Sequence, residues 1–244
     1  MRPITRLALS MTVSLLSGTP SSAAGKITGV VELFTSQGCS SCPPADAVLE
    51  QLAKQPGVAV LSLPVDYWDR LGWKDTYGSP AHSARQRAYA LARGDGAVYT
   101  PQAVVNGAQH MNGADRGEIE ANLDQLKSSL SVAIDLSQSK TALRVAVAAA
   151  PTGGEASPAT LILLPYLAHR EVAIGRGENA KRRVAYTNIV RNIGVLGQWS
   201  GEARTFELPL ARLAPGDGVI ALLQTGTAEA PGPIIGAAQL TFEQ

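Results

Sequence analysis

The whole thiol content of this 244-residue chain is one pair, Cys39 and Cys42, with two residues between them. Sulfurs at that spacing can exchange with a substrate disulfide, hold a soft metal or close a short bridge. They lie in Gly38-Cys39-Ser40-Ser41-Cys42-Pro43-Pro44, and prolines are tolerated in the first turn of a helix, where amide donors lack partners anyway. The positive end of a helix favours a negative charge. This places Cys39 at the cap as the exposed, nucleophilic thiolate and Cys42 one turn in as the thiol that resolves a mixed disulfide. Ser40 and Ser41 can donate hydrogen bonds to sulfur, and no cationic side chain separates the cysteines.

Other chemistries use the same residues. A static bridge over so short a loop gains only about 2 kcal/mol, against nearly 5 for a loop of a hundred residues. A zinc site needs four ligands, and beyond the two cysteines the chain offers only His82, His110 and His169 as nitrogen donors. Copper(I) needs no more than two soft thiolates, which the pair supplies.

The elements that must position these sulfurs alternate between strand and helix. Val30 to Thr35 and Val58 to Val65 are compact apolar runs typical of buried strands. Between them Ala45, Val48, Leu49, Leu52 and Ala53 share one helical face. Ser79-Pro80 opens and Gly94 closes a second helix, and Asp115 with Glu118 forms a capping box for a third. Gln102 to Asn106 and Ala108 to Met111 lie between these helices as strands, giving the order β-α-β-α-β-β-α up to Leu130. Beyond it, strands are expected at 131–136, 143–149, 160–167, 172–174, 183–190, 204–210, 219–224 and 234–241, with a helical stretch an alternative inside 188–199. Short strands between Gly, Pro and Asp turns suggest an antiparallel sandwich. The expected fold class is an α/β thioredoxin-like domain (25–130) followed by an all-β, sandwich-like domain (131–244), the boundary lying near Ser129 to Ser131.

Composition narrows the function. Hydrophobic residues make up 45% of the chain and charged residues 17%, enough apolar material for a packed core, and the formal net charge of +1 removes the general electrostatic case for nucleic acid. Arg2 and Arg6, the short apolar stretch Leu7 to Leu16 and Ser21-Ser22-Ala23-Ala24 have the layout of a secretory signal peptide over residues 1–24. That apolar stretch is shorter than the roughly 18 residues a membrane span needs, and no later apolar run is long enough to span a bilayer. The mature chain is expected to be periplasmic or secreted, without a membrane span.

The pattern Val31-Glu32-Leu33-Phe34-Thr35-Ser36-Gln37-Gly38-Cys39-Ser40-Ser41-Cys42-Pro43-Pro44-Ala45-Asp46 is similar to that of the exported family catalogued as domain of unknown function 1223, and with the element order it resembles the thioredoxin superfamily. Val65-Asp66-Tyr67-Trp68-Asp69, Leu71-Gly72-Trp73, Tyr99-Thr100-Pro101-Gln102, Gly177-Glu178-Asn179 and Leu196-Gly197-Gln198-Trp199 extend the likeness over nearly the whole mature chain. The resemblance implies a thioredoxin-like domain followed by a β-rich one, with Pro101 in a cis bond facing the cysteines. It supplies no reaction.

Further candidates surround the pair. Asp66 to Tyr77 holds four of the twelve aromatics, Tyr67, Trp68, Trp73 and Tyr77, and serves either as a partner-binding lip or as a local core. Trp68, Trp73 and Thr100 are taken as substrate-binding. Glu32, if buried, could accept the Cys42 proton, against a purely structural role; His82 is expected to point to water from a helix start. Gly175 to Ala180 matches a dinucleotide glycine pattern only superficially, because a strand follows it. Arg176, Lys181, Arg182, Arg183 and Arg191 read as a solvated basic face. The sequence thus points to an exported thiol–disulfide oxidoreductase in which Cys39 attacks, Cys42 resolves and Pro101 orients the substrate. It would need no cofactor or metal, and would act on a protein or small-molecule thiol or disulfide together with an unidentified redox partner. The alternative is a non-enzymatic exported module binding copper(I) or a protein. Native protein is expected to begin at Ala24 or Gly25; mass spectrometry finding Met1 or Arg2 intact would overturn the export reading.

Overall fold

The apolar run at Val30 to Thr35 becomes β1 (Gly29–Thr35), a strand buried along its entire length. The computed structural model describes residues 26–152 and 157–242; the expected signal peptide lies outside them. After β1 come α1 (Pro43–Leu52), β2 (Val58–Pro64), α2 (Pro80–Arg93), β3 (Gln102–Val105), β4 (Gln109–Asn112) and α3 (Arg116–Gln125). Local chemistry sets their ends. The Ser79 hydroxyl accepts the Ala81 amide at the start of α2, Gly94 ends it at φ 75°, and Asp115 accepts the Glu118 amide at 2.9 Å to cap α3. The later strands are β5 (Ile134–Gln138), β6 (Ala142–Val147), β7 (Ala159–Ala173), β8 (Arg183–Val190), β9 (Gly194–Trp199), β10 (Arg204–Pro209), β11 (Gly218–Gly226) and β12 (Pro231–Thr241). β7 fuses two strands that the sequence suggested separately, and β9 occupies the stretch where a helix was the alternative.

These later strands do not build a separate sandwich. The order β12-β11-β7-β8-β2-β1-β3-β4, with β9 also on β7, makes one nine-stranded mixed sheet, and β10-β6-β5 forms a small second sheet. The expected fold class is corrected accordingly. The protein is mostly β, with three α-helices among the described residues, and its main sheet continues through the expected boundary near residue 130 instead of stopping at a thioredoxin-like domain.

The cause lies in β2. Val58 to Pro64 carries no charge and is buried from Ala59 onward, the composition of an interior strand rather than an edge. β8 covers its free edge in parallel, in register at Ser62 and Ile189. The Ser62 hydroxyl donates to the Thr187 carbonyl at 2.8 Å, and the Asn188 side-chain amide donates to the Val60 carbonyl at 3.0 Å. Asn188 has φ 49°, a left-handed conformation that asparagine tolerates better than most residues. Side-chain bonds thus complete a joint where the backbone ladder is brief.

Packing follows the same continuity. Val30, Phe34, Leu61 and Leu63 share one core with Ile162, Leu164, Ile220 and Leu222, beneath Tyr89 of α2. The alternate side chains Val31, Leu33 and Val60 meet Leu49 and Leu52 of α1 and Ile119 and Leu123 of α3 on the opposite face. Glu32 points into the α2 side, fully buried. Its carboxylate accepts Arg85 Nε at 2.6 Å, Arg85 Nη2 at 3.0 Å and the Tyr89 hydroxyl at 2.6 Å. Gln224 of β11 closes the group, accepting from Arg85 at 2.9 Å and donating to the Tyr89 oxygen at 2.8 Å.

Removing one member of such a pair leaves the other charge buried alone, which typically costs about 3–5 kcal/mol. Glu32→Ala is expected to destabilise by that order in urea unfolding, and Glu32→Ala with Arg85→Ala to cost clearly less than the two single losses combined.

Candidate functional site

At the carboxyl end of β1 the chain turns into α1 through the cysteine loop. Cys39 N–H bonds the Ser36 carbonyl and Cys42 N–H the Cys39 carbonyl, both at 3.2 Å. The two cysteines form a disulfide, with Cα atoms 5.4 Å apart. Cys42, not Cys39, occupies the helix cap, with helical φ −78° and ψ −37°. Both cysteines have 0% exposure, so Cys39 is not the exposed thiol that the sequence suggested, although Ser40 and Ser41 between them are exposed.

The helix start also differs from the expected anion site. Pro43 and Pro44 have no N–H, and the Ala45 and Asp46 amides both bond the Cys42 carbonyl, at 2.9 and 3.1 Å. The first turn of α1 therefore keeps its dipole but offers no free amide. A direct polar contact on the Cys39 sulfur comes from the Ser41 hydroxyl at 3.4 Å.

Around this loop stand the other residues singled out in the sequence. The Thr100–Pro101 bond is cis. Gly113, whose amide donates to the Pro101 carbonyl, sits so closely between α1 and Pro101 that an added Cβ would lie 3.2 Å from Ala45 Cβ and 3.3 Å from Pro101 Cβ. Trp68 Nε1 donates to the Thr100 hydroxyl at 2.8 Å, and its Cβ would be 3.1 Å from a Cβ on Gly38. Trp68 thus links the proline loop to the cysteine loop. Trp73 Nε1 donates to Gln37 Oε1 at 2.8 Å. Asp75, from the same aromatic segment, accepts the Gln37 amide at 2.8 Å, and burial pushes its carboxyl pKa up. In this structure the segment braces Gln37, and its four aromatics are half-buried, each with one side packed against the core.

Glu32 and His82 lie elsewhere. Glu32 is on the α2 face of β1, away from α1, and its oxygens are taken by Arg85 and Tyr89. His82 is 2% exposed rather than turned to water; its Nδ1 lies 2.8 Å from the Pro64 carbonyl, and burial lowers its pKa to about 4. Among the described residues, no three His, Cys, Asp or Glu side chains converge as a metal site would require.

Three site residues were not singled out from the sequence for a role. Glu178 and Asn179 lie in the turn between β7 and β8. The Asn179 amide donates to the carbonyls of Cys39 at 2.7 Å and Gln37 at 3.0 Å, and Glu178 accepts the Ser40 N–H at 3.3 Å. Arg182, of the basic cluster, donates to Asn179 Oδ1 at 3.1 Å. No local pattern announces a contact spanning 140 residues.

Asp46 is the third, and it did leave a signal: it falls in register with Leu49 and Ala53 on the buried face of α1. It is 3% exposed, one turn after Cys42, and helical side chains point back toward the preceding turn. The Thr35 hydroxyl faces it, yet neither carboxyl oxygen nor that hydroxyl completes a hydrogen bond of normal geometry. Burial pushes the Asp46 carboxyl well above the usual range, opposed by Thr35 and aided by the charge of Asp75. Tyr186 of β8 lies in the same region, its phenol raised first by burial and then by Asp46 and Asp75.

A carboxyl whose pKa rises on folding stabilises the fold while protonated, and that contribution is lost as pH climbs above its unfolded value near 4. Asp46→Asn is expected to unfold at higher urea than the parent at pH 7. Its advantage should shrink by about 1.4 kcal/mol per pH unit on descending through the window and vanish below about pH 4. Equal stabilities at pH 7 would contradict the placement of Asp46.

Residues 30–224 match the family described as protein of unknown function (DUF1223). Among curated proteins none matches. The crystal structure of protein AGR_C_4864 from Agrobacterium tumefaciens is 34% identical, covers 90% of this chain and 96% of its own, and superposes with a TM-score of 0.79. HBP35 of Porphyromonas gingivalis is similar in fold alone, with 14% identity, 90% and 76% coverage and a TM-score of 0.57.

Proposed function

The chain belongs to the DUF1223 family, a membership that names relatives but no reaction, and we propose from its site that it is an exported thiol–disulfide oxidoreductase working through Cys39 and Cys42. One observation carries the reading. Among the described residues, every buried side-chain nitrogen or oxygen without a hydrogen bond belongs to Thr35, Gln37 or Asp46, each within four positions of a cysteine. Buried polar groups are ordinarily satisfied, and clustered exceptions point to chemistry rather than stability. A bridge kept only to hold the chain together has no use for an unpaired carboxyl beside it.

In the reduced protein the Cys39 thiolate, supported by the Ser41 hydroxyl and the dipole of α1, attacks one sulfur of a substrate disulfide. A Cys39–substrate disulfide forms and the other substrate sulfur leaves as thiolate. Cys42 then gives its proton to the Asp46 carboxylate and attacks the Cys39 sulfur. The Cys39–Cys42 bridge closes and the second substrate thiolate departs, so two electrons have passed to the substrate. Run backwards, the same steps oxidise a dithiol, and Asp46 returns the proton to Cys42. Thr100, Pro101 and Trp68 border the loop where an extended substrate chain would lie.

Thiol trapping with a generic disulfide tests the asymmetry. Cys39→Ser is expected to lose exchange entirely, whereas Cys42→Ser accumulates a mixed disulfide on Cys39. Asp46→Asn should leave the first attack intact and slow resolution by about 10²–10⁴-fold, the range of a general base. If both cysteine variants alkylate at the same rate and neither traps an adduct, the reading fails and a static bridge takes its place. Activity that vanishes with a copper chelator points instead to a metal-binding module.

A further inference from the structure

The turn between β7 and β8, residues 174–182, lies over the cysteine loop as a self-contained piece. Ile174 N–H bonds the Arg182 carbonyl at 2.9 Å and Lys181 N–H bonds the Ile174 carbonyl at 2.8 Å, so its shape is set from within. Its hold on the loop consists of the two Asn179 amide bonds and the Glu178 bond to Ser40. It also rests on Trp73, whose ring would lie 3.1 Å from a Cβ on Gly175. Beneath it both cysteines are closed to solvent, and an incoming thiolate needs access to a sulfur before it can react.

We infer that this turn is a redox-linked cover, closed over the oxidised bridge and released when Cys39 becomes a thiolate. The inference rests on the exchange reading only in requiring that the bridge be reducible. A dithiol donor supplies two electrons and two protons, and its own sulfurs join as a disulfide. Cys42 keeps its proton, and Cys39 gives its proton to water. In the oxidised state the sulfurs carry no charge, and the Ser40 N–H serves the Glu178 carboxylate. Reduction sets a second anion beside that amide. Pro43, Pro44 and the engaged amides of Ala45 and Asp46 leave α1 no other N–H to offer. The Glu178 carboxylate then faces the thiolate across that amide. The Ser41 hydroxyl reaches the sulfur but not the carboxylate, and because Ser40 and Glu178 are exposed the repulsion weakens as salt is added. Glu178 yields, and the tip of the turn with it, because the thiolate is fixed by the backbone while the tip is held to the loop only by two further hydrogen bonds from Asn179. The buried Ile174 stays as the anchor at its base. The reduced protein stands open to substrate and the oxidised protein shuts.

Tryptophan emission and the rate of bridge reduction by dithiothreitol test this on the intact mature chain. Reduction should shift the parent's emission to the red as Trp73 loses its cover, and the shift should disappear in Trp73→Phe. Glu178→Gln, an exposed and nearly isosteric change, keeps an acceptor without the charge; it should reduce normally yet show no shift. Asn179→Ala removes two bonds from the closed state and should speed reduction about tenfold or more. Emission that ignores redox state, or an Asn179→Ala rate equal to the parent's, overturns the cover. A cover that moves in a protein whose cysteine variants show no asymmetry overturns the enzyme reading instead.

Discussion

An apolar strand cannot leave one of its edges bare, and β2 is such a strand. The first 130 residues supply it with β1 on one side and nothing on the other. Its second neighbour has to come from more than a hundred residues away, and β8 provides it at Ser62 and Ile189. Much else follows from this joint. It fixes β7 alongside, brings β11 and β12 into the same sheet, and lets Gln224 reach the Glu32–Arg85 pair. It also anchors β8, whose preceding turn reaches the cysteine loop through Asn179 and Glu178.

How much of this was legible from the residues varied with the range of the interaction. Caps and breaks are local, so Ser79, Gly94 and Asp115 could be read directly, and so could the helix opened by Pro43. The long β7 was harder, because 168–171 carries a histidine, an arginine and a glutamate that interrupt the apolar run. Those side chains sit on the more exposed end of the strand, where its backbone pairs with β8 on one side only. The continuity of the sheet had no local signature other than the uncharged face of β2. A separate sandwich was a reasonable inference from strand spacing alone, but spacing says nothing of which edge a strand will join.

At the site, residue types were legible and environments were not. The cysteine pair, Pro101 and the two tryptophans could be picked out by sequence, and the structure gathers them around one loop. Cys39 was expected at the surface because helix starts are normally accessible; in the structure it is fully buried, with Asn179 from the second half of the chain bonded to its carbonyl. Glu32 looked like a candidate proton acceptor because it interrupts an apolar strand, yet the alternation of β1 sends it to the face opposite α1. Asp46 lies on the face that matters. It differs from Glu32 in forming no ion pair among the described residues, which leaves a carboxyl that is energetically awkward in the fold and chemically available beside Cys42.

The distance along the chain between the cysteines and their cover has a consequence for the order of events during synthesis. Ser40 precedes Glu178 by 138 residues, and domains are made from the amino end onward. While the ribosome is still adding the later strands, Cys39 and Cys42 are already outside it with nothing above them. An oxidant meeting the growing chain can join them freely, whereas a reductant meeting the finished, oxidised protein must wait for Asn179 to let go. The first closing of the bridge and every later opening of it therefore proceed under different conditions, set by when the turn arrives.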